Sequence, residues 1–181
     1  MQVRFLEPVY DGDQVVARAV ASEDGSIQVT AEREDGTVSA RGVAAMRPST
    51  QAPGLLPQHP LPNPDARPVP MPENVVPGAA LGTVIEKLDL SNRPQTAALL
   101  QFSNEILVRN FRLGPWIHTS SEITNWGAVE RGAEVRASGR IHDRFERKGH
   151  EFIVVDLTLA ADGRVVQTVR HTAIYRPKPR N

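Results

Sequence analysis

The sequence predicts an α+β protein in which one long central helix is wrapped by a strongly curved antiparallel sheet. One stretch, residues 91–114, carries an apolar stripe at helical spacing on Ala98, Leu99, Phe102 and Ile106. Most of the remaining chain consists of β-rich runs, and several of these runs are joined by Asp-Gly pairs, which favour tight hairpins. The prediction rests on this combination of a single helix with many antiparallel strands.

The predicted helix has a defined start and end. Ser91-Asn92 offers an N-cap, and Pro94 is tolerated in a first helical turn. Gly114-Pro115 ends the run, because glycine and proline commonly terminate helices. The helix is therefore expected to contain about twenty residues at most.

The predicted strands lie on both sides of this helix. Residues 1–46 contain β-rich runs separated by Asp-Gly pairs at residues 11–12, 24–25 and 35–36. A short strand is expected at residues 83–90, and longer runs follow at residues 116–129, 133–145, 151–161 and 164–175. The last two runs are joined by Asp162-Gly163, which is a further hairpin signal.

A proline-rich stretch divides the chain. Ten of the fifteen prolines fall between Pro48 and Pro77, where neither strand alternation nor a helical period is visible. Proline removes backbone donors and favours extended segments, so residues 49–80 are predicted to be a linker or a surface strap. The predicted units are then residues 1–48 and residues 81–181.

The two units resemble each other in sequence. Residues 8–15 align with residues 128–135, and residues 46–48 align with residues 175–177. The Asp-Gly pair at residues 35–36 matches the pair at residues 162–163. The first unit is therefore expected to be the sheet half of the second, a partial repeat without the helix that should precede it.

The composition excludes several classes of function. The 21 basic and 21 acidic residues balance, so no global field attracts nucleic acid or an anionic membrane. The absence of cysteine rules out a disulfide framework, a thiolate nucleophile and a cysteine-ligated metal. The histidines lack ligand spacing, so no metal is expected. With no signal peptide and no membrane-spanning apolar run, the expectation is a soluble cytoplasmic protein.

Four segments of the second unit carry a resemblance to a known family. They are residues 117–122 (Ile-His-Thr-Ser-Ser-Glu), 129–132 (Val-Glu-Arg-Gly), 145–152 (Phe-Glu-Arg-Lys-Gly-His-Glu-Phe) and 171–177 (His-Thr-Ala-Ile-Tyr-Arg-Pro). With them, the chain resembles the MaoC-like acyl dehydratases and hydratases, which have a double hotdog fold. The resemblance implies a complete hotdog at residues 81–181 and a truncated one at residues 1–48.

The resemblance also implies hydration chemistry by an Asp-His pair near the central helix. On this alignment Asn104 stands where the acid should be, and Arg109 where the histidine should be. Neither side chain exchanges a proton near neutral pH. Glu105, His118, Ser120 and Ser121 are therefore the further groups to be considered, and a glutamate on the central helix could activate water for the hydrolysis of an acyl-CoA thioester. A third alternative is a non-catalytic hotdog subunit of a hydratase or dehydratase complex.

The resemblance places the substrate-binding candidates after the helix. Trp116, Ser120 and Ser121 are expected to line an acyl tunnel, and Arg147 and Lys148 to hold a coenzyme A phosphate. The substrate would be an acyl-CoA or acyl-carrier thioester, and no cofactor is expected. A sheet half without its helix exposes an apolar face. A homodimer, a partner hotdog subunit or a segment upstream is therefore expected to cover this face.

Overall fold

A computed structural model describes residues 1–48, 51–61, 69–70, 75–91, 94–112 and 114–179 of the chain. It contains strands β1 (Gln2–Phe5), β2 (Val15–Ala21), β3 (Ile27–Arg33), β4 (Val38–Ala44), β5 (Val69–Pro70), β6 (Ala80–Lys87), β7 (Phe111–Arg112), β8 (Ile117–Asn125), β9 (Glu134–Arg147), β10 (His150–Ala161) and β11 (Arg164–Arg176). Helix α1 spans Gln95–Asn110. Nine strands form one sheet in the order β2-β3-β4-β1-β8-β11-β10-β9-β6, and β5 pairs with β7 separately.

Several of the predicted hairpins are confirmed. Gly25, Gly36 and Gly163 have positive φ angles of 77°, 82° and 73°, and they lie in the turns that join β2 to β3, β3 to β4 and β10 to β11. Glycine adopts this backbone region without steric penalty. The hairpin predicted at residues 11–12 is wrong, because β1 pairs with β4 and β8, not with β2.

The helix covers one face of the C-terminal strands. Its buried side chains recur at the spacing of a single helical face: Ala98, Leu99, Phe102, Ser103, Ile106, Leu107 and Asn110. Asn110 attaches the last turn to β6, because its Oδ1 accepts from the backbone N–H of Gly82 at 2.6 Å. Its Nδ2 donates to the Gly82 carbonyl at 3.0 Å and to the Ile106 carbonyl at 2.7 Å. This buried amide fixes the position of the helix along the sheet.

The predicted long central helix and partial second repeat are wrong. Within the described residues the helix has 16 residues, a length of roughly 24 Å at 1.5 Å per residue. Pro94, in an extended conformation, precedes it, and Phe111 ends it with φ −128° and ψ 143°. Strands β1 to β4 continue the same sheet through the β1–β8 pairing, so they form no separate repeat. The proposed N-cap residue Asn92 lies outside the described residues, and the domain boundaries stay a prediction.

Part of the proline-rich segment lies directly against the edge strand β6. The backbone carbonyl of His59 accepts a hydrogen bond from the backbone N–H of Thr83 at 2.7 Å. The backbone N–H of His59 donates to the Thr83 hydroxyl at 3.2 Å. Gly82 allows this approach, because a Cβ there would lie 2.6 Å from the Leu61 Cα. None of the described helices is long and apolar enough to cross a membrane.

Candidate functional site

A pair of histidines lies on the helix-facing side of the sheet, where β8 and β11 run side by side. His171 of β11 is directly opposite Ser121 of β8, so the two side chains point to the same face. Between Thr172 and Ala173 the register shifts, which leaves Thr119 as an extra residue on β8. This bulge turns the preceding residue, His118, toward Ser121. The His118 Nε2 lies 2.9 Å from the Ser121 Oγ.

Four aromatic rings contact one another in a row through this pair. The imidazoles of His118 and His171 are stacked with centroids 3.9 Å apart and planes 20° apart. The Trp116 ring also stacks against His171, with centroids 5.8 Å apart and planes 11° apart. The Phe5 ring, from β1, contacts His118 in a tilted arrangement, with centroids 4.5 Å apart and planes 44° apart. The site therefore joins residues that lie more than a hundred positions apart in the sequence.

Burial keeps both imidazoles neutral near pH 7. His171 is only 2% exposed, and burial together with the charge that His118 can carry lowers its pKa to about 3. Burial also lowers the pKa of the half-buried His118, although a hydrogen bond with the Ser120 carbonyl opposes this effect. A neutral imidazole retains one nitrogen lone pair, so each ring has one proton-accepting nitrogen.

The hydrogen bonds of His118 indicate which of its nitrogens carries the proton. The Nε2 lies 3.1 Å from the Ser120 carbonyl oxygen, which can only accept. The tautomer with a proton on Nε2 satisfies this contact and the contact with the Ser121 hydroxyl together. The lone pair of His118 is then on Nδ1.

Six buried side-chain polar atoms have no hydrogen-bond partner within the described part of the chain, and two of them concern the helix and the histidine pair. These two are the Nε2 of His171 and the Oγ of Ser103, on the buried face of helix α1. An unsatisfied buried polar group costs about 1–3 kcal/mol. Native structures contain few such atoms, and a ligand group is one of the explanations for them. The His171 Nε2 therefore has an unused hydrogen-bonding capacity in the buried interior.

Three of the predicted catalytic residues lie away from this cluster, on the outer part of α1. Asn104 is exposed, and Arg109 pairs with Glu105 at 2.7 Å and with Glu86 at 2.5 Å. The helix is continuous from residue 95 to residue 110, so Asn104 and Arg109 do not converge. The structure thus brings together His118, Trp116, Ser120 and Ser121 of the predicted set, and leaves Asn104, Glu105 and Arg109 on the surface.

Arg147 and Lys148 lie at the turn between β9 and β10, and both are exposed. Lys148 has a positive φ of 54°, which fits its place in a tight turn. This turn is at the same end of the sheet as the start of β8, three strand positions away. Among the described residues, no group of three or more His, Asp or Glu side chains could hold a metal ion.

Sequence reasoning missed two members of the cluster, His171 and Phe5. A signal for His171 exists in the alternation of β11, where Val169, His171, Ala173 and Tyr175 share one phase and are all buried. That phase places the imidazole on the core side of the sheet. No comparable local signal indicates Phe5, because its position depends on the pairing of β1 with β8.

Comparisons with known proteins identify the fold. Neither protein-family models nor characterised protein sequences give a match. Solved structures do give matches. The tesB protein of Mycobacterium avium subspecies paratuberculosis is 15% identical to this chain, with a TM-score of 0.58. The alignment covers 97% of this chain and 77% of the tesB protein. The acyl-CoA thioesterase II TesB2 of Mycobacterium marinum is 10% identical, with a TM-score of 0.62 over 98% and 79%.

A third structure carries the name of the fold itself. It is a protein with a hot dog fold from Alicyclobacillus acidocaldarius, 15% identical, with a TM-score of 0.52 over 99% of this chain and 78% of that one. The chain therefore has a hotdog-like fold. The resemblance to the MaoC-like family stays a prediction.

Proposed function

We propose that this chain hydrolyses acyl thioesters, with His118 as the base that activates water. The observation that carries the proposal is the stacked His118–His171 pair beside Ser121, with the His171 Nε2 buried and unpartnered. The hotdog-like fold gives additional support, because solved structures with this fold include proteins described as acyl-CoA thioesterases. Thioester hydrolysis, the alternative suggested by the sequence, is thus better supported than hydration or dehydration.

The proposed reaction assigns one task to each imidazole. The Nδ1 lone pair of His118 takes a proton from water while the water oxygen bonds to the thioester carbonyl carbon. The Nε2–H of His171 donates to the carbonyl oxygen, on which negative charge develops. The carbon–sulfur bond then breaks, and the His118 imidazolium returns its proton to the thiolate that leaves. A carboxylic acid and a thiol are the products.

The neighbouring residues hold this arrangement. The Ser120 carbonyl and the Ser121 hydroxyl accept from the His118 Nε2–H and fix the tautomer that leaves Nδ1 basic. The Trp116 ring contacts His171 and the Phe5 ring contacts His118, and these contacts reduce the exposure of the imidazoles to water. The carrier of the acyl group is expected to be coenzyme A, with Arg147 and Lys148 as candidate contacts for its phosphates, and no cofactor takes part.

The test is the release of free thiol from a series of acyl-CoA esters, followed with a thiol-reactive chromophore. We expect turnover by the wild type, and a kcat at least about a hundredfold lower in His118→Gln, in line with the usual contribution of a general base. Glu105→Gln and Arg109→Gln should keep wild-type activity. The lowered pKa of His118 predicts that activity persists below pH 6.5 and falls only in more acidic solution.

Three results would overturn or redirect the proposal. Unchanged activity in His118→Gln would exclude this residue as the base. Loss of the crotonyl-CoA absorbance without release of thiol would indicate hydration. No turnover by the chain alone, with turnover restored by a second protein, would indicate a non-catalytic subunit.

We further infer that a second copy of the chain covers the open face of β1 to β4. Directly opposed residues share a face, and Ser121, Val3, Gly42, Val29 and Ala19 form one such row. Two further rows lie next to it. One contains Phe5, Ala40, Ala31 and Ala17, and the other contains Ala44, Ile27 and Ala21. No charged side chain belongs to these three rows, and Arg33, in the next row of this face, is paired with Asp13 and Asp35. Two copies can therefore meet through the three rows without like-charge repulsion.

The oligomeric state tests this inference. Light scattering on the purified chain should give twice the chain mass of 19.8 kDa. Val29→Glu, which places a charge at the centre of the face, should reduce the mass to that of one chain. The matched control Thr30→Glu puts the same charge on the opposite face of β3 and should leave the dimer intact. A monomeric wild type would contradict the inference.

A further inference from the structure

Three arginines form a row on the outer face of strands β1 to β4, opposite the face inferred to meet a second copy. Arg4 of β1 lies directly opposite Arg41 of β4. Thr30 of β3 lies between Arg41 and Arg18 of β2, because it is opposite both of them. Directly opposed residues share a face of the sheet, so Arg4, Arg41 and Arg18, the arginine row, extend from one surface. All three side chains are exposed.

The arginine row carries positive charge that the chain itself leaves unpaired. Within the described part of the chain, none of the three guanidiniums forms an ion pair or a side-chain hydrogen bond. Like charges directly opposite each other on neighbouring strands are destabilising, since their Cβ atoms lie only about 4.5–5.5 Å apart. Arg4 and Arg41 form such a pair, so an anion bound between them would relieve their repulsion.

The other half of the same outer face shows how the chain neutralises neighbouring arginines. Arg140, Asp156 and Arg170 are cross-strand neighbours on β9, β10 and β11. Successive cross-strand partners connect Arg170 through β8 to Gln2, two residues from Arg4, so both groups lie on one face. The Asp156 carboxylate contacts Arg170 at 2.8 Å and Arg140 at 3.5 Å. In the arginine row, the residue between two of the cations is a threonine, which supplies no negative charge.

The charges around the arginine row are predominantly positive. Among the residues of β1 to β4 that share this face, Glu32 is the one carboxylate, and it lies two residues from Thr30 on β3. Glu122 of the neighbouring strand β8 lies opposite Gln2 and accepts from its amide at 3.5 Å. The three cations therefore exceed these carboxylates even when Glu122 is included. The whole chain has no net charge, so the excess is a local feature.

Exposed valines flank the arginine row on both sides. Val43 and Val20, two residues along the strands from Arg41 and Arg18, are 47% and 64% exposed. Val16, on the other side of Arg18, is 48% exposed. Strand residues two positions apart point to the same face, so these valines and the arginines form one surface. This surface offers a partner fixed cations with apolar groups beside them.

We propose that this face binds an acidic amphipathic helix of a partner protein. Carboxylates on one side of the helix contact the arginine row, and apolar side chains beside them lie against the valines. A guanidinium binds a carboxylate through two parallel N–H donors, and arginine clusters recognise acidic segments in this way. Binding of a partner at this face does not depend on thioester hydrolysis.

The spacing of the arginines suits a helix that lies across the strands. Neighbouring strands are about 4.8 Å apart, which places Arg41 and Arg18 about 5 Å and about 14 Å from Arg4. A helix rises about 1.5 Å per residue, so carboxylates about three and ten residues beyond the first would match these distances. An anionic membrane fits this surface less well. Membrane-surface binding relies on large apolar side chains that reach the acyl region, and the valines beside the arginines are short.

The test is a fluorescence anisotropy titration of the full chain with three labelled helical peptides. The peptides have capped termini and leucines beside three positions with the spacing given above, and these positions carry Glu, Gln or Lys. The Glu peptide should bind at least about tenfold more tightly than the Gln peptide at low ionic strength, and the Lys peptide least tightly. Added salt should reduce the preference for Glu. Equal affinity for the Glu and Gln peptides, or binding of neither, would overturn the proposal.

Substitutions of opposite sign locate the interface. Arg41→Gln should weaken binding of the Glu peptide about tenfold, and Thr30→Glu, which places a carboxylate between two arginines, should weaken it at least as much. Glu32→Gln should tighten binding about threefold. The matched control Arg164→Gln removes an exposed arginine beside the turn between β10 and β11 and should change the affinity by less than about twofold. An equal loss in Arg164→Gln and Arg41→Gln would indicate non-specific attraction and overturn the site.

Folding of the variants is checked by thermal melts. Arg41→Gln removes a like charge opposite Arg4, so the free chain should be at least as stable as the wild type. Arg18→Gln replaces Arg41→Gln if that variant unfolds.

Three further arms distinguish this inference from the alternatives. Sedimentation of the chain with vesicles of phosphatidylglycerol and phosphatidylcholine, without binding of the Glu peptide, would identify a membrane and overturn the protein partner. Val29→Glu carries its charge on the opposite face, so peptide affinity should stay within about twofold even if the dimer dissociates. In His118→Gln, peptide binding should be unchanged whether or not thiol release is lost. A failure of the proposed activity is therefore distinguishable from a failure of this inference.

Discussion

The burial of His171 predicts a specific dependence of stability on pH. The unfolded chain binds a proton at this residue with a pKa of 6.5, whereas the folded chain holds the pKa at about 3. A buried neutral histidine therefore stabilises the fold fully above the unfolded pKa, and this contribution is lost as the pH falls below it. Between pH 6.5 and pH 4.5 the free energy of unfolding should decrease by about 2.3 kcal/mol from His171 alone, with a limiting slope of about 1.4 kcal/mol per pH unit.

The perturbation that isolates this effect is His171→Asn. From pH 7.5 to pH 4.5 the wild type should lose ~2.7 kcal/mol more than the variant, because the variant has no imidazole to protonate on unfolding. The measurement is urea denaturation at half-unit pH steps, with the free energy of unfolding extrapolated to zero denaturant. Thr172→Val, a neighbouring change on the same strand without a titrating group, serves as the control.

The chosen pH window separates His171 from the carboxylates. Asp156 and Glu151 have lowered pKa values in the folded chain, so their contributions are lost only as the pH falls below their unfolded values. His118, whose pKa is also lowered, changes the slope equally in wild type and variant to first order. Parallel pH curves for wild type and His171→Asn would refute the reasoning, since they would mean that water reaches the imidazole in the folded chain.

Two further predictions concern the contacts that hold the fold. Gly82→Ala should lower the free energy of unfolding by about 1–3 kcal/mol, because a Cβ there meets the backbone of Leu61 at 2.6 Å. Gly139→Ala should cost less, since the atom at 2.7 Å is the far end of the Leu157 side chain; an equal loss would contradict this ranking in a thermal or urea melt. Asn110→Ala should lower the free energy of unfolding by about 2–4 kcal/mol, because it leaves the buried N–H and carbonyl of Gly82 unpaired. Asn110→Asp should restore only the bond from the Gly82 N–H. A loss of stability below about 1 kcal/mol in Asn110→Ala would show that water replaces the amide.

Local patterns in the sequence predicted most of the individual elements. The runs that became β9, β10 and β11 were identified from their composition and the pair at residues 162–163. The helix was identified from the spacing of Ala98, Leu99, Phe102 and Ile106. These features depend on neighbouring residues, and the physical rules that govern them are local.

The arrangement of the elements was predicted less well. The proline before the helix and the extended Phe111 after it limit α1 to 16 residues. The sequence repeat suggested two units, yet the structure continues one sheet across both of them through β1 and β8. Pairing between strands more than a hundred residues apart depends on which sheet edges are available. No local pattern specifies that choice.

The candidate site shows the same division. The sequence by itself determined that Trp116, His118 and Ser121 are neighbours, with His118 and Ser121 in one strand and Trp116 just before it. Only the tertiary structure decided that His118 faces the core, because one extra residue in β8 reverses the direction in which a side chain points. It also brought His171 and Phe5 to the same place, through strand pairings that bury one imidazole against another. Side-chain types are thus set by the sequence, while their burial, and hence their proton affinity, is set by the packed fold.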